Sequence, residues 1–466
     1  MCGIAGFSLF NFNEGGETSL EAMHKAIHHR GPDASGMYID EHIGLCHRRL
    51  SILDLSEAGN QPMYSKEGDL VIVFNGEIYN FLELRAELEN DGVTFKSHTD
   101  TEVILELYAR EGTKCLDKLN GMFAFALWDK NKQELFIARD RLGKKPLYYF
   151  NDNGRFAFGS EIKAILALEN IPREIRLDAV YDFFAYQYVP DPKSIFKHIH
   201  KLPPAHYLIL NKDGFSIHEY WDLSFKNTTS ASEDANKAQL KTLLEKVTKQ
   251  RMISDVPLGA FLSGGVDSSG VVAMMAQASE TPVKTCTIGF DDKAFNEADF
   301  AREIAEKYET EHHEFTVHQN VSDRLEHIVS FFDEPFADPS LVPTFFVSEL
   351  ARKAVTVALA GDGGDEMFAG YEKYSVDDVE NKLRSKFPET VRKSVFPHLA
   401  KMAGKVPGTV GKKAKSLLTS LSHEPAMGFY ITNSMMTDGM WQSLVKPEVA
   451  QQLADYHPSQ YTLDMY

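Results

Sequence analysis

The chain has 466 residues, more than one hydrophobic core organises, so two or three domains are expected. It is 43% apolar and 25% charged, with 31 Gly and 19 Pro dispersed as in an ordinary soluble protein, and no apolar run approaches the ~18 residues that cross a bilayer. Its net charge of −18, from 49 Lys and Arg against 67 Asp and Glu, opposes the basic footprint of a nucleic-acid binder.

In chain order, the apolar opening Met1–Phe10 lacks the basic flank of a secretory signal and reads as the first strand of a domain. Short alternating runs follow at Leu70–Phe74, Met122–Trp128, Glu134–Ala138, Leu147–Phe150 and Arg155–Phe158, with helical patterns at Phe81–Asn90 and Thr101–Glu111. Polar or glycine turns between the runs predict antiparallel sheet up to about Trp221. Phe225–Glu233 is polar and rich in Ser and Thr, a linker, bounded here as residues 223–234.

Beyond it the rhythm becomes strand, loop, helix. Strands are predicted at Leu258–Leu262, Lys284–Phe290, Glu314–Val317 and Val355–Ala360, with helices at Val271–Ala278, Ala298–Tyr308 and Val342–Lys353. That alternation implies a parallel sheet with helices on both faces, whose ligands sit past the carboxyl ends of strands where the order reverses. Two glycine loops, Ser263-Gly264-Gly265 and Gly361–Gly364, fall at such ends. Later, Lys382–Lys415 carries ten Lys or Arg and one acid, Glu389, and Pro388, Pro397 and Pro407 divide it into short helices, a helical insertion with a solvated face or a partner-binding patch.

The four cysteines, Cys2, Cys46, Cys115 and Cys286, are far apart without a Cys-x-x-Cys, which suits reduced thiols in the cytoplasm and makes no zinc site. Cys2 follows the initiator Met1, whose removal would leave a thiol and a free α-amine on one residue, nucleophile and base together. Position 2 could equally carry cysteine by chance. Met1-Cys2-Gly3-Ile4-Ala5-Gly6, His29-Arg30-Gly31-Pro32-Asp33, Arg49-Leu50-Ser51-Ile52 and Asn75-Gly76-Glu77-Ile78-Tyr79-Asn80 together resemble the glutaminase domain of class II, N-terminal-nucleophile glutamine amidotransferases. The resemblance covers residues 2–222 and implies an αββα sandwich. It assigns the oxyanion hole to the Asn75 side chain and the Gly76 N–H, the glutamine α-carboxylate to Arg49, and the ammonium to Asp100 and Glu77, with Ile52 in the same pocket. Taken singly, Asn75-Gly76 is also a hairpin turn and Arg49 or Asp100 a surface charge.

Ser263-Gly264-Gly265-Val266-Asp267-Ser268-Ser269 reads as strand, glycine loop, helix. Its glycines admit phosphate oxygens, the helix N-terminus and the hydroxyls donate to them, and Asp267 implies an intervening cation, most simply Mg2+. The plainer alternative makes Asp267 or Ser268 a helix N-cap. The loop resembles that of the ATP pyrophosphatases, and with Ala360-Gly361-Asp362-Gly363-Gly364-Asp365-Glu366 it resembles the synthetase domain of the glutamine-hydrolysing asparagine synthetase family, here residues 235–466. That resemblance implies that Leu262, Ile288 and Gly361 frame adenine and ribose, that Asp267 and Asp365 hold metal and pyrophosphate, and that Asp362, where some members carry Glu, helps ammonia attack an acyl-adenylate. A solvated turn would also account for Asp362 and Asp365. Asp333–Ser340 also looks like the family, at the mouth of an acceptor pocket.

The fold class expected is therefore multidomain α/β: the sandwich, then a parallel-sheet ATP-pyrophosphatase domain with a helical insertion. The implied reaction transfers the amide nitrogen of glutamine, through a γ-glutamyl thioester on Cys2, to a carboxylate activated by ATP, giving glutamate, AMP and pyrophosphate. Aspartate is the implied acceptor; a sugar acid or a peptide carboxylate is the alternative. A sugar-phosphate or phosphoribosyl amidotransferase would share the first domain but leave Ser263–Ser269 unexplained. Partners are then glutamine, aspartate and ATP, with no nucleic acid or membrane, and a homodimer is compatible. The family continues with a Glu-Ala-Arg-x-Pro-Phe-Leu-Asp-like segment, whereas this sequence ends at Tyr466. On that reading it is a fragment or a shortened protein whose synthetase domain is incomplete, and a shortened one would be an uncoupled glutaminase or a regulatory protein.

Overall fold

The computed structural model describes residues 1–10, 16–226, 228–290, 296–317 and 321–466. The chain folds as two compact units: Met1–Glu174 with Phe196–Asp333 and Ser340–Gly361, and Ile175–Ile195 with Glu334–Pro339 and Asp362–Tyr466.

The first unit begins with twelve strands: β1 Gly3–Ser8, β2 Ala34–Ile39, β3 Ile43–Arg49, β4 Met63–Tyr64, β5 Leu70–Ile78, β6 Gly121–Asp129, β7 Glu134–Arg139, β8 Tyr148–Asp152, β9 Arg155–Gly159, β10 Ile199–Lys201, β11 His206–Asn211 and β12 Gly214–Glu219. They form two six-stranded sheets, ordered β10-β8-β9-β1-β3-β2 and β12-β11-β7-β6-β5-β4. All their pairings are antiparallel. Strand β1 is buried along its whole length, as a central strand must be, while β2 alternates exposed and half-buried residues as an edge strand does.

Ile4, Leu45, Val73, Ala126, Trp128 and Phe158 pack between the sheets. Helices Glu17–Ala26 and Ile162–Leu166 cover the first sheet through Leu20, Met23 and Ile165 against Phe7 and Phe150. Helices Phe81–Asn90 and Asp100–Glu111 cover the second through Leu84, Leu88, Ile104 and Leu107 against Phe74 and Phe125. The layers run helix, sheet, sheet, helix, the αββα sandwich expected from the sequence.

The last antiparallel strand ends at Glu219, and the next element is a helix, Glu233–Arg251, capped by the Ser232 side chain on Ala235 N. Of the linker segment between them, Asn227 lies outside the described residues. Strands β13 Leu258–Phe261, β14 Lys284–Phe290, β15 Glu311–Val317 and β16 Val357–Leu359 then form a parallel sheet ordered β15-β14-β13-β16. The chain steps from β13 outward to β15 and returns on the other side of β13. The order therefore reverses between β13 and β16, the position at which such sheets bind ligands.

The second unit is helical. Helix Leu177–Tyr186 buries Asp182, which accepts hydrogen bonds from Lys193 Nζ (2.6 Å) and from the Tyr456 hydroxyl. Tyr181 of the same helix stacks on Trp441 with ring centroids 4.0 Å apart. The basic stretch forms the end of Glu372–Arg384, then Glu389–Ser394, Phe396–Ala403 and Gly408–Leu421; Pro388, Pro397 and Pro407 stand at helix starts, where their missing N–H costs nothing. Among the described residues, no helix is long and apolar enough to cross a membrane.

Candidate active site

Cys2 precedes the central strand of the first sheet, and the register Gly3↔Arg48 brings the end of β3 alongside it. Leu50 N lies 3.4 Å from Cys2 Sγ and donates to it, while the thiol points back to Leu50 O at 3.6 Å. Arg30 Nε donates to Cys2 O at 2.9 Å and its Nη1 to Glu161 Oε1 at 2.7 Å, so the main chain of Cys2 is held as firmly as its sulfur. Burial raises the thiol above its ordinary pKa, against which the Leu50 hydrogen bond and the nearby amine, Lys145 and Arg49 act.

The facing sheet supplies the opposite wall. Asn75 and Gly76 lie inside β5, paired with Ala124 and Phe123 of β6, so the hairpin-turn alternative is excluded. A Cβ on Gly76 would stand 2.3 Å from Met122 O and 2.8 Å from Phe123 Cα, so only glycine lets the strands approach here. Asn75 is 1% exposed, and its Nδ2 is buried with no hydrogen-bond partner among the described residues. A buried amide donor left unpaired is costly, and such groups gather at functional sites.

Cys2, Arg49, Ile52, Asn75, Gly76, Glu77 and Asp100 all line one pocket of about 440 Å3. Asp100 begins the helix Asp100–Glu111, behind its Thr99 cap, and accepts from Ile78 N at 2.8 Å. Burial pushes Asp100 up to about 6, and burial followed by the charge of Asp100 pushes Glu77 up to about 7. Both Arg49 and Asp100 are buried, so neither is the surface charge that the sequence alone allowed.

Arg49 departs from its expected role in one respect. Its Nη1 donates to Ser56 O (3.0 Å) and Asn60 Oδ1 (2.8 Å), and its Nη2 to Leu53 O (3.1 Å) and Asp54 O (2.5 Å). The guanidinium thus holds the 53–60 loop against the pocket, and a bidentate grip on a carboxylate requires it to release two of these partners. Gly59 lies so close that a Cβ there would meet Arg49 Nη2 at 2.1 Å.

Sequence reasoning missed three parts of this pocket. Leu50 acts through its main chain, which no side-chain pattern reports. Lys145 lies on the turn after β7, where a glycine amid charges was the signal available. Thr356, Val357 and Ala358 line the pocket from the edge of the parallel sheet, a meeting set by tertiary structure alone.

The second set gathers at the β13/β16 switch. The helix Val266–Ala278 begins directly after Gly265, which is its N-cap, so neither Asp267 nor Ser268 fills the capping position considered above. Gly264 has φ +84°, and a Cβ on it would meet Ala301 N at 2.7 Å. Ser263 Oγ and Ser268 Oγ are 3.0 Å apart, Gly265 N donates to Ser263 Oγ (3.3 Å), and Ser269 Oγ is buried without a partner among the described residues. A Cβ on Gly361 would stand 2.7 Å from Ser268 N and 2.9 Å from Asp267 Cβ, so the second glycine loop begins against the first. Leu262 N donates to Cys286 O at 3.0 Å, which sets Leu262 beside β14 and its Ile288. Asp362 and Asp365 open the second unit, where Asp362 is exposed and Gly370 N donates to Asp365 O at 2.9 Å. Asp333 accepts from Lys163 N at 2.9 Å, a structural tie within the first unit.

Comparison with known proteins gives two family matches: "Glutamine amidotransferase domain" over residues 1–221 and "Asparagine synthase" over residues 239–453. The chain is 43% identical over 396 residues to "Putative asparagine synthetase (glutamine-hydrolyzing) 2" of Methanocaldococcus jannaschii, covering 80% of this chain and 76% of that protein. It is 36% identical over 466 residues to "Asparagine synthetase (glutamine-hydrolyzing) 1" of Bacillus subtilis, covering 98% and 70%. "Amidase chry2" of Gibberella zeae is 32% identical over 385 residues, covering 78% and 56%. These matches lend no support to the expectation of a shortened protein.

Proposed function

The chain belongs to the glutamine-hydrolysing asparagine synthetase family, and we propose that it releases ammonia from glutamine at Cys2 and adds it to an aspartate activated by ATP. The observation that carries the first half is Asn75 Nδ2, a buried amide donor without a partner in the pocket that Cys2 enters.

With Met1 removed, the Cys2 α-amine accepts the thiol proton and the sulfur attacks the glutamine carboxamide carbon. Negative charge collects on the carbonyl oxygen, where Asn75 Nδ2 and Gly76 N–H are its donors, fixed in advance by β5. The C–N bond breaks, the leaving nitrogen takes the proton from the amine and departs as ammonia, and water later frees glutamate from the thioester. Glu77 and Asp100 accept the substrate ammonium, and Arg49 takes the α-carboxylate by exchanging partners of the 53–60 loop.

ATP binds at the β13/β16 switch, its pyrophosphate on the helix N-terminus at Val266 with Ser263, Ser268 and Ser269 as donors. The buried Ser269 Oγ, unpaired among the described residues, and the close approach of Gly361 to this terminus support that placement. Asp267, in the first turn of that helix, would hold Mg2+. The ion supplies neutralisation of phosphate charge. Leu262 and Ile288 frame the base, and Asp362 and Asp365 contribute as the resemblance implies. Aspartate needs activation because a carboxylate at neutral pH has no competent leaving group. Four free cysteines, three of them buried, suit a reducing cytoplasm.

The test is Cys2→Ala. It should abolish glutamate formation from glutamine while ammonia, ATP and aspartate still yield asparagine and pyrophosphate. Loss of both activities in a folded variant would refute the two-site reading, and pyrophosphate release that ignores aspartate but answers another carboxylate would refute the acceptor.

A further inference from the structure

Lys145 is 6% exposed and lines the Cys2 pocket, an ammonium where burial is expensive. The turn that puts it there is held unusually tightly. Asp140, 1% exposed, accepts from Leu142 N (3.1 Å), Lys144 N (2.9 Å), Lys145 N (3.0 Å) and Phe123 N (3.1 Å). Arg139 Nε donates to Lys145 O at 2.9 Å and its Nη2 to Gly143 O at 2.9 Å, and Gly143 takes φ +64°. Among the described residues, Lys145 Nζ meets no carboxylate at hydrogen-bond distance; its partner is the thioether Sδ of Met1, at 3.3 Å. Loss of Met1 therefore does two things together. It exposes the α-amine of Cys2 and strips Lys145 of that contact.

On the reading that Cys2 is the glutaminase nucleophile, we propose that Lys145 is a positioning residue for it, a fixed positive charge that keeps the Cys2 α-amine in its neutral, basic form and favours negative charge on the sulfur. Lys145 keeps its own proton throughout; the thiol proton passes to the amine and then to the departing ammonia. Lys144 also lines the pocket, and several of the other charged groups around Cys2 are already engaged. Arg30 is paired with Glu161, Arg49 with the 53–60 loop, Asp100 with Ile78 N, and Asp33 accepts from Ser51 N. Glu77 lines the same pocket as Lys145 and raises its pKa against the lowering by burial, and Arg352 adds to the lowering of the Met1 amine. With Met1 in place, its own α-amine is lowered to about 6, first by burial and then by Arg30, Lys145 and Arg352 against the opposing pull of Cys2.

The experiment follows alkylation of Cys2 by iodoacetamide from pH 5 to 10, with peptide mass spectrometry, in the wild type, Lys145→Met, Lys145→Gln and Lys145→Arg, beside the pH profile of glutaminase kcat and KM. Cys46, Cys115 and Cys286 are at most 1% exposed, so the Cys2 signal is separable. Removing the ammonium should raise the midpoint of alkylation and of kcat by about one pH unit or more, the size of shift a nearby opposite charge produces. Glutaminase activity lost at pH 7 should return at higher pH, and Lys145→Arg should restore most of the wild-type midpoint. An equal loss at every pH, or an Arg variant no better than Met, overturns the proposal; thermal unfolding identifies any variant that fails to fold, and the arginine and glutamine variants then decide. A wild type that releases no glutamate, or whose Cys2 resists alkylation throughout, refutes instead the glutaminase reading on which this rests.

Discussion

Glu77 and Asp100, the two carboxylates proposed to receive the ammonium of glutamine, are both pushed up by burial, to about 7 and about 6. Before substrate arrives, folding favours their protonated forms. Their contribution to stability is therefore present below the ordinary carboxylate range and is lost as pH rises through about 6 and then about 7. On the proposed function glutamine reverses the preference, because its ammonium would bind the ionised pair. KM for glutamine should accordingly rise as pH falls below about 7, and more steeply below about 6, while ammonia-dependent synthesis shows no such step. Glu77→Gln should remove the upper inflection and leave the lower one. Steady-state glutaminase kinetics between pH 5 and 8 check this, and a KM flat across that range would remove both carboxylates from ammonium recognition.

At the scale of elements, the β13/β16 switch makes its own prediction. Gly361→Ala drives a methyl group into Ser268 N and Asp267 Cβ, so the helix N-terminus proposed to receive pyrophosphate must shift. ATP–pyrophosphate exchange should fall by about a hundredfold, as expected for an ångström-scale misplacement, while glutaminase activity at Cys2 stays near wild type. Equal loss of both would mean that Gly361 matters for folding rather than for nucleotide. Both glycine loops were legible in the sequence because each directly follows an apolar run. Helix Phe81–Asn90 and strand Lys284–Phe290 have the bounds their periodicity predicts. Helix Glu233–Arg251 went unseen: only Thr248 of its nineteen residues is buried, so no apolar stripe announced it, although Ser232 followed by Glu233 and Asp234 is an N-terminal signal. The helix at Val266 begins five residues before the predicted Val271, since its first turn is loop-like in composition. Within the glutaminase pocket the motif side chains were readable from local sequence. Leu50, Lys145 and Thr356–Ala358 were not, because what they do depends on strand register and on a sheet more than two hundred residues away from Cys2.

At the scale of the molecule, two chemistries are useful together only if glutamine is not hydrolysed idly, and one residue of the first unit ties their supports. Asp255 N donates to Ile52 O at 3.0 Å, and Asp255 Oδ2 accepts from Asp54 N at 2.7 Å. Asp54 O in turn accepts from Arg49, and Asp54 Oδ2 accepts from His98 N at 2.8 Å, one residue before the Thr99 cap that precedes Asp100. Three residues past Asp255 the chain enters β13, which ends in the Ser263 loop. The loop held by Arg49, proposed to loosen when Arg49 takes a carboxylate, is thus pinned to the strand that leads into the proposed phosphate loop. A ligand that shifts β13 acts on that pin, and whatever affinity it gains for one state is returned as a bias on the glutamine pocket. Asp255→Ala should leave each partial reaction measurable on its own yet break their proportion. Glutamate released per pyrophosphate should rise above the wild-type ratio, and ATP with aspartate should no longer stimulate glutaminase. Parallel assays of glutamate and pyrophosphate decide the matter, and an unchanged ratio in Asp255→Ala would show that the two sites communicate, if at all, by a route that does not pass through this residue.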